Sequence, residues 1–141
     1  MSTGPAIAVA VTFVWLGMVL AISFLEAPLK FRAPNVTLQM GLGIGRLVFR
    51  ALNTVEVGFA LVLVAIVAAG PMPVRIAVAL SVAIGALAVQ LIAVRPRLTR
   101  RSDQVLAGLD APRSRAHYFY VGFEVVKVVA LLSAGILLLT I

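Results

Sequence analysis

The chain has 141 residues, of which 62% are hydrophobic and 12% are charged, and its formal net charge is +7. A soluble domain has roughly 45–50% apolar and about 25% charged residues, and a chain of this size cannot bury so much apolar surface in a water-soluble core. The composition therefore excludes a soluble domain, and the absence of cysteine excludes disulfides, thiolate nucleophiles and Cys-based metal sites.

Four continuous apolar segments are long enough to cross a bilayer, which takes about 20 residues in a helix. They are residues 5–27, 45–69, 74–94 and 117–141. The apolar runs are continuous rather than alternating, which excludes membrane-spanning strands. We predict an all-α polytopic membrane protein, a single membrane domain of residues 1–141 folded as a bundle of four transmembrane helices.

The first span has no basic residue before Lys30. A cleavable signal peptide needs a positively charged region ahead of its apolar run, so we expect a retained span. The span is expected to end at Pro28, because proline has no N–H for the helical ladder. Pro96 is expected to end the third span in the same way.

Basic residues concentrate in two predicted loops, residues 28–44 and 95–116. Ten of the twelve Lys and Arg residues lie in these loops or at the adjoining helix ends, whereas the loop between the second and third spans carries only Arg75. By the positive-inside rule the two basic loops are cytoplasmic and both termini lie outside. We therefore expect a multi-pass protein of the plasma (bacterial inner) membrane, whose charge serves contact with anionic lipid headgroups rather than with nucleic acid.

A glycine-rich stretch, residues 41–45, precedes the second span. Its Gly-x-x-x-Gly spacing permits close helix contact, and the Arg residues that follow suit contact with an anion. A flexible or re-entrant helix start and an anion-binding loop both stay open. His117 and Tyr120 open the fourth span, either as interfacial anchors or, for the histidine, as a pH-sensitive gate.

Three charged residues lie deep in the predicted spans. Glu56, Glu124 and Lys127 are about 7–11 residues, or roughly 10–16 Å, from the helix ends, and an ionised group there costs at least about 2.5–3.5 kcal/mol. Glu124 and Lys127 are spaced i, i+3 and can pair on one helix face, and Glu56 can bridge to Lys127. Asn53 and Gln90 can supply neutral hydrogen-bonding groups to the same set.

This deep set contains two acids and one base. One carboxyl is therefore expected to carry a proton, or to be satisfied by Arg50 or by a bound cation, which suits a proton carrier or cation ligand. The same side chains would also serve as hydrogen-bonded glue between helices or as an interface with another subunit. The sequence leaves these alternatives open, and we expect neither a metal ion nor a cofactor.

A second polar group lies closer to the cytoplasmic end, where long side chains can reach the interface. It is expected to form a cytoplasmic mouth or to contact lipid headgroups, and it comprises Glu26, Lys30, Arg46, Arg50, His117 and Tyr120. Trp15, near the middle of the first span, is expected to pack rather than to bind.

A shift of 68 residues aligns Glu56 with Glu124 and Pro28 with Pro96. Each half then contains an outward-to-inward helix, a basic loop and a return helix with a deep acid. Two repeated helical hairpins, related by an axis along the membrane normal, would have this pattern. Any four-helix protein contains two hairpins, so the pattern leaves a duplication open.

The stretch SFLEAPLKFRAPNVTLQMGLGIGRLVFRALNTVE (Ser23–Glu56) resembles small uncharacterised bacterial four-span integral membrane proteins. More distantly, the chain is similar to the four-span family of unknown function that includes animal cisplatin-resistance-associated transmembrane proteins. The shared elements are Trp15-Leu16-Gly17, then Ala27, Pro28 and Phe31, then Gly45, Arg46 and Phe49, and His117. The resemblance implies a four-span layout and no particular reaction or substrate, and the chain departs from the family at Glu124 and Lys127.

We expect a small transporter or ion/proton-coupled channel with a polar site near the bilayer midplane. Four helices enclose a transport path only thinly, so a homodimer is expected. The alternative is an accessory or assembly subunit, whose polar stripes would pair with partner helices. A membrane enzyme acting on lipid or quinone ranks lower, because the sequence has no cysteine, no HxxxH motif and no nucleophile–base pair.

Overall fold

A computed structural model describes residues 1–109 and 115–141, and within these ranges it contains helices and no strand. Residues 110–114, part of the second predicted basic loop, lie outside the described residues. Each of the four long helices is apolar enough to cross a membrane. They are α1 (Thr3–Lys30), α2 (Leu38–Ala69), α3 (Val74–Leu106) and α4 (Arg115–Leu138). The predicted all-α bundle of four helices is confirmed.

Helix α4 is the central element of the bundle. It packs most extensively against α3 and also against α1, and α1 packs in turn against α2. The core between the helices is apolar and contains Trp15, Leu63, Leu80, Leu131 and Leu138. The outward faces are also apolar, with side chains such as Leu61, Ile92 and Val129 more than half exposed. A bundle that is apolar on both its inner and outer faces belongs in a membrane.

Helices α1 and α3 each contain a segment of wider, π-helical turns. These segments are Leu20–Glu26 and Gln90–Val94, and each ends two residues before a proline, Pro28 or Pro96. Proline cannot donate to the carbonyl four residues earlier, and its ring crowds that carbonyl. The wider turns shift the hydrogen bonds of this region and relieve the conflict. Both helices consequently continue past their prolines, so the expectation that these prolines end the helices was wrong.

The two π-helical segments occupy corresponding places in the two hairpins. Pro28 and Pro96 are the residues that the shift of 68 positions aligns, and the same local irregularity precedes each of them. The resemblance between the hairpins thus extends from sequence to backbone. A duplication stays a prediction.

Helix α2 begins at Leu38, seven residues before the predicted span. The preceding Thr37 caps the helix, since its side-chain oxygen accepts a hydrogen bond from the backbone N–H of Met40 at 3.1 Å. The expected flexible or re-entrant start is instead a regular capped helix, and the glycine-rich stretch lies within it.

The glycines of this stretch allow the end of α1 to approach α2 closely. A Cβ atom on Gly41 would lie 2.2 Å from Cε1 of Phe31, and one on Gly45 would lie 3.2 Å from Nζ of Lys30. The close helix contact that the Gly-x-x-x-Gly spacing permits is therefore present.

The end of α1, the start of α2 and the end of α3 lie at the same end of the bundle, which we call the basic end. It carries Lys30, Arg32, Arg46, Arg50, Arg95, Arg97, Arg100 and Arg101. Two contacts join α2 to α3 there: Arg46 pairs with Asp103 at 2.8 Å, and Nε2 of Gln39 donates to the carbonyl of Val105 at 3.1 Å. Residues 95–106, predicted as loop, are thus helical and held against α2.

Gly135 of α4 tests the packing of the core. A Cβ atom there would lie 2.6 Å from Cζ of Phe13 on α1, so Gly135→Ala is expected to overpack the core and lower the free energy of unfolding by about 1–3 kcal/mol. The control is Gly122→Ala on the same helix, where a Cβ would meet nothing within 4 Å. Denaturation of both variants in mixed micelles measures the effect, and equal stability of the two would contradict the packing described.

Candidate functional site

Lys127 lies at the centre of a buried group of polar side chains. Its Nζ contacts Oε2 of Glu56 at 2.5 Å, Oε1 of Glu124 at 2.5 Å and Oε1 of Gln90 at 2.9 Å. An ammonium group has three N–H donors, so all three are used. Lys127 and Glu56 are 0% exposed and Glu124 is 1% exposed. We call Glu56, Glu124 and Lys127 the charged triad.

The triad joins three helices because of where its residues fall in the sequence. Glu124 and Lys127 lie one turn apart on α4, which places both side chains on one face. Glu56 reaches Lys127 from α2. Gln90 reaches it from α3, where it is the first residue of the π-helical segment. Its Nε2 donates to Oε1 of Glu124 at 2.8 Å and to the carbonyl of Tyr120 at 3.2 Å, so one amide links the base and an acid of the triad.

Helix α1 completes the site through Trp15, which the sequence analysis expected only to pack. The indole Nε1 donates to Oε2 of Glu56 at 2.8 Å, and the side chain is fully buried. An indole N–H in an apolar span needs a partner when it is buried. This need for an acceptor could have predicted the contact from the sequence, because Glu56 was already expected at a similar depth in the membrane.

Ser23 is a second contribution from α1 that the prediction missed. Its hydroxyl donates a short hydrogen bond to Oε2 of Glu124. Ser23 lies inside the π-helical segment of α1, as Gln90 does in α3. The two irregular segments therefore both supply polar side chains to the same carboxylate.

Asn53 does not join this network. It is buried one turn from Glu56 on α2, but its Oδ1 has no hydrogen-bond partner and the side chain lines an open groove between α2 and α3. Arg50, proposed from sequence as an alternative cation for a buried carboxyl, lines the same groove of about 680 Å³. Lys127 is thus the cation of the triad, and Asn53 and Arg50 lie beside it rather than in it.

The charge of the triad is unbalanced. Two carboxylates surround one ammonium group, so the cluster would carry a net charge of −1 if all three were ionised. Oε1 of Glu56 is buried without a partner. Charge is expensive in this environment, and one bound proton makes the cluster neutral.

A pocket of about 200 Å³ leads from the basic end to the triad. On α4 its wall runs from His117 past Tyr120 to Glu124, which is seven residues or about 10 Å of helix. Ser23 lines the pocket at the same level as Glu124. Glu124 therefore belongs both to the buried triad and to the wall of a cavity.

Most of the predicted mouth residues lie on this pocket. Lys30, Arg46, His117 and Tyr120 all line it. Glu26 lies behind Lys30 and pairs with it at 3.5 Å, and Arg50 lines the neighbouring groove instead. The pocket also contains Arg95, which the sequence analysis assigned to a loop.

Apolar packing lies between the triad and the opposite end of the described bundle. Fully buried apolar side chains fill the space between the helices there, and they include Leu63, Ile76, Leu80, Leu131 and Leu138. A pocket at that end is lined by the start of α1, the end of α2 and the turn that follows, none of which belongs to the triad. Among the described residues, the pocket thus reaches the triad from the basic end, and apolar side chains pack on its other side.

No protein-family model, curated protein or solved structure matches this chain. The resemblance to four-span families therefore stays a prediction. Within the described residues, no cluster of three or more His, Cys, Asp or Glu side chains is placed to hold a metal ion. The function has to be argued from the triad and the pocket.

The first prediction for the site concerns Lys127. Lys127→Met leaves two buried carboxyls without a cation, and breaking a buried ion pair costs about 3–5 kcal/mol, so a large loss in the free energy of unfolding is expected. The triple variant Glu56→Gln, Lys127→Met, Glu124→Gln contains no charge and should recover most of that loss. Denaturation in mixed micelles measures both variants, and a single variant as stable as the wild type would contradict the triad.

Proposed function

We propose that the protein is a small proton-coupled transporter whose proton site is the charged triad. The observation that carries the proposal is that Glu124 belongs both to the triad and to the wall of the pocket. One of its oxygens contacts Lys127, and the side chain also lines the pocket from the basic end. A group that belongs to both can exchange a proton with the pocket and alter the balance of charge inside the membrane.

The charge count supports one proton shared within the triad rather than a permanently ionised triad. With Glu124 neutral, Lys127 and Glu56 form a one-to-one pair of zero net charge. With Glu124 ionised, Lys127 is shared between two anions. Loss or gain of one proton therefore changes how strongly α4 is held to α2, which is a means of coupling protonation to helix movement.

Ser23 supports a route for that proton. A hydroxyl can donate to a carboxylate and accept from a carboxylic acid, so the hydrogen bond between Ser23 and Oε2 of Glu124 persists in both protonation states. Because both residues line the pocket, a proton can pass between the pocket and Glu124 at that oxygen.

The closed apolar core favours a transporter over an open channel. The triad faces a pocket at the basic end and is sealed from the other end by buried Leu and Ile side chains. Alternating access requires such a state and a counterpart open to the other side. The π-helical turns in α1 and α3 flank the site, and such turns frequently occur at functional sites.

The polar contacts also favour a transporter over an accessory subunit. An accessory subunit was expected to offer its polar stripes to partner helices, but Glu56, Gln90, Glu124 and Lys127 are buried and bonded within one chain. The proposal includes a plasma (bacterial inner) membrane location with the basic end cytoplasmic. The expected homodimer also remains part of the proposal, although the triad is complete without a second copy.

Proton flux into liposomes tests the proposal. Vesicles containing the purified protein and an entrapped pH-sensitive dye receive an imposed pH gradient, with potassium and valinomycin to compensate charge. Wild-type protein is expected to dissipate the gradient faster than protein-free vesicles do. Glu124→Gln should reduce the rate to that of protein-free vesicles, because an amide cannot exchange the proton.

Asp103→Asn is the matched control for this flux measurement. It removes a carboxylate that is exposed at the basic end and outside the triad, so its flux should stay close to that of the wild type. Equal flux in wild type and Glu124→Gln would contradict the proposed function.

A further inference from the structure

Arg95 is a half-buried cation that lacks an anionic partner in the described part of the chain. Its Nε and Nη2 atoms are shielded from solvent and have no hydrogen-bond partner. Its guanidinium lies 4.7 Å from the ring centroid of Tyr120 and 5.3 Å from that of Phe49. The rings hold the planar group in place through cation–π contacts, but Nε and Nη2 remain without a hydrogen-bond acceptor.

Every side-chain carboxylate among the described residues is already paired with another cation. Glu26 pairs with Lys30 and Asp103 with Arg46, and both carboxylates of the triad contact Lys127. Buried donors without acceptors cost free energy, more so when the donor is charged. Arg95 therefore has N–H donors left over for an acceptor other than the described carboxylates.

Two further unpaired polar groups line the same pocket as Arg95. The hydroxyl oxygens of Ser102 and Tyr120 are buried and have no hydrogen-bond partner, and each residue is only 7% exposed. Hydroxyls and a guanidinium together are donors that match an oxyanion, for which the planar arginine fork is well suited. The pocket thus contains a set of unsatisfied donors from α3 and α4.

The charge of the pocket selects an anion. Among the described residues its wall contains four cations, Lys30, Arg46, Arg95 and Arg101, against the single carboxylate of Glu124. Lys30 and Arg46 are balanced by Glu26 and Asp103, but Arg95 has no carboxylate partner among the described residues. The remaining wall is largely apolar and includes Phe24, Phe31, Leu42, Phe49, Leu98 and Val121. A ligand that fits both parts has a charged head and an apolar body.

We propose that this pocket binds an amphiphilic oxyanion, a phosphate or carboxylate carried on an apolar chain, with Arg95 as the principal anchor. The headgroup accepts hydrogen bonds from Arg95, Ser102 and Tyr120, and the chain lies along the apolar wall. The proposal goes beyond proton transport, since it depends on Arg95 rather than on the triad and holds even if Glu124 moves no proton. The ligand is either the headgroup and proximal chain of an anionic lipid or a free single-chain anion.

Binding to the purified, detergent-solubilised protein tests the proposal in two arms. One arm titrates phosphatidylglycerol against phosphatidylcholine and counts retained lipid by native mass spectrometry. The other arm titrates dodecyl phosphate against the neutral dodecyl maltoside by calorimetry. Retention of phosphatidylglycerol alone identifies a lipid site, binding of dodecyl phosphate alone identifies a free anion, and either supports the oxyanion site.

The variants Arg95→Gln and Arg97→Gln separate a built site from general attraction to the basic end. Both remove one positive charge from α3, but Arg97 is exposed and does not line the pocket. Loss of a hydrogen-bonded charge costs about 1.5–3 kcal/mol, so Arg95→Gln should weaken anion binding by roughly 10–100-fold. Arg97→Gln should leave binding almost unchanged.

Ser102→Ala keeps the test decisive if Arg95→Gln fails to fold. It removes an unpaired buried hydroxyl, so the unliganded protein should be as stable as the wild type, while anion binding should weaken by about 2–10-fold for one neutral hydrogen bond. Glu56→Gln changes the triad but not the pocket wall, so it should still bind the anion, which separates this proposal from proton transport. Failure to bind either anion, or equal weakening by Arg95→Gln and Arg97→Gln, would overturn the proposal.

Discussion

The arrangement of this bundle depends on one requirement, that a lysine ammonium group buried inside a membrane must use all three of its donors. Lys127 satisfies it with Glu56, Glu124 and Gln90, which come from three different helices. Trp15 adds the fourth helix through Glu56. Apolar helices have little preference for one another over lipid, so polar contacts of this kind have a large part in fixing which helix faces meet. The same requirement places two carboxyls around one cation and thereby creates a place for a proton.

The prolines of α1 and α3 explain how the basic end differs from the rest of the bundle. Pro28 and Pro96 impose wider turns on α1 and α3 without ending them, and those turns carry Ser23 and Gln90 to Glu124. The continued α3 then brings Arg95 inward, between the rings of Phe49 and Tyr120. The pocket is the space between these irregular helix ends, whereas regular helices and Leu-rich packing close the opposite half.

Sequence reasoning predicted the fold and the contacts among the three deep charged residues, because composition and residue depth are strong constraints in a membrane. Glu124 and Lys127 are one helical turn apart, and Glu56 lies at a depth where it needs a cation. Helical spacing and the free-energy cost of a buried charge therefore predicted that the three side chains meet. The contributions of Trp15 and Ser23 were missed, because the sequence does not show which helix faces them and supplies the hydrogen-bond acceptor. Arg95 was assigned to a loop because a following proline usually ends a helix, and the compensation by π-helical turns has no simple sequence pattern.

The central claim is that the charged triad holds one proton, since two acids share one base in a membrane interior. Infrared spectroscopy of the protein in lipid at neutral pH measures this directly through the C=O stretch of a protonated carboxyl group. The account predicts one such band in the wild type and its loss in both Glu56→Gln and Glu124→Gln, because either change leaves one carboxylate opposite Lys127. A wild-type spectrum without a protonated carboxyl, or a band that survives in both variants, would contradict it.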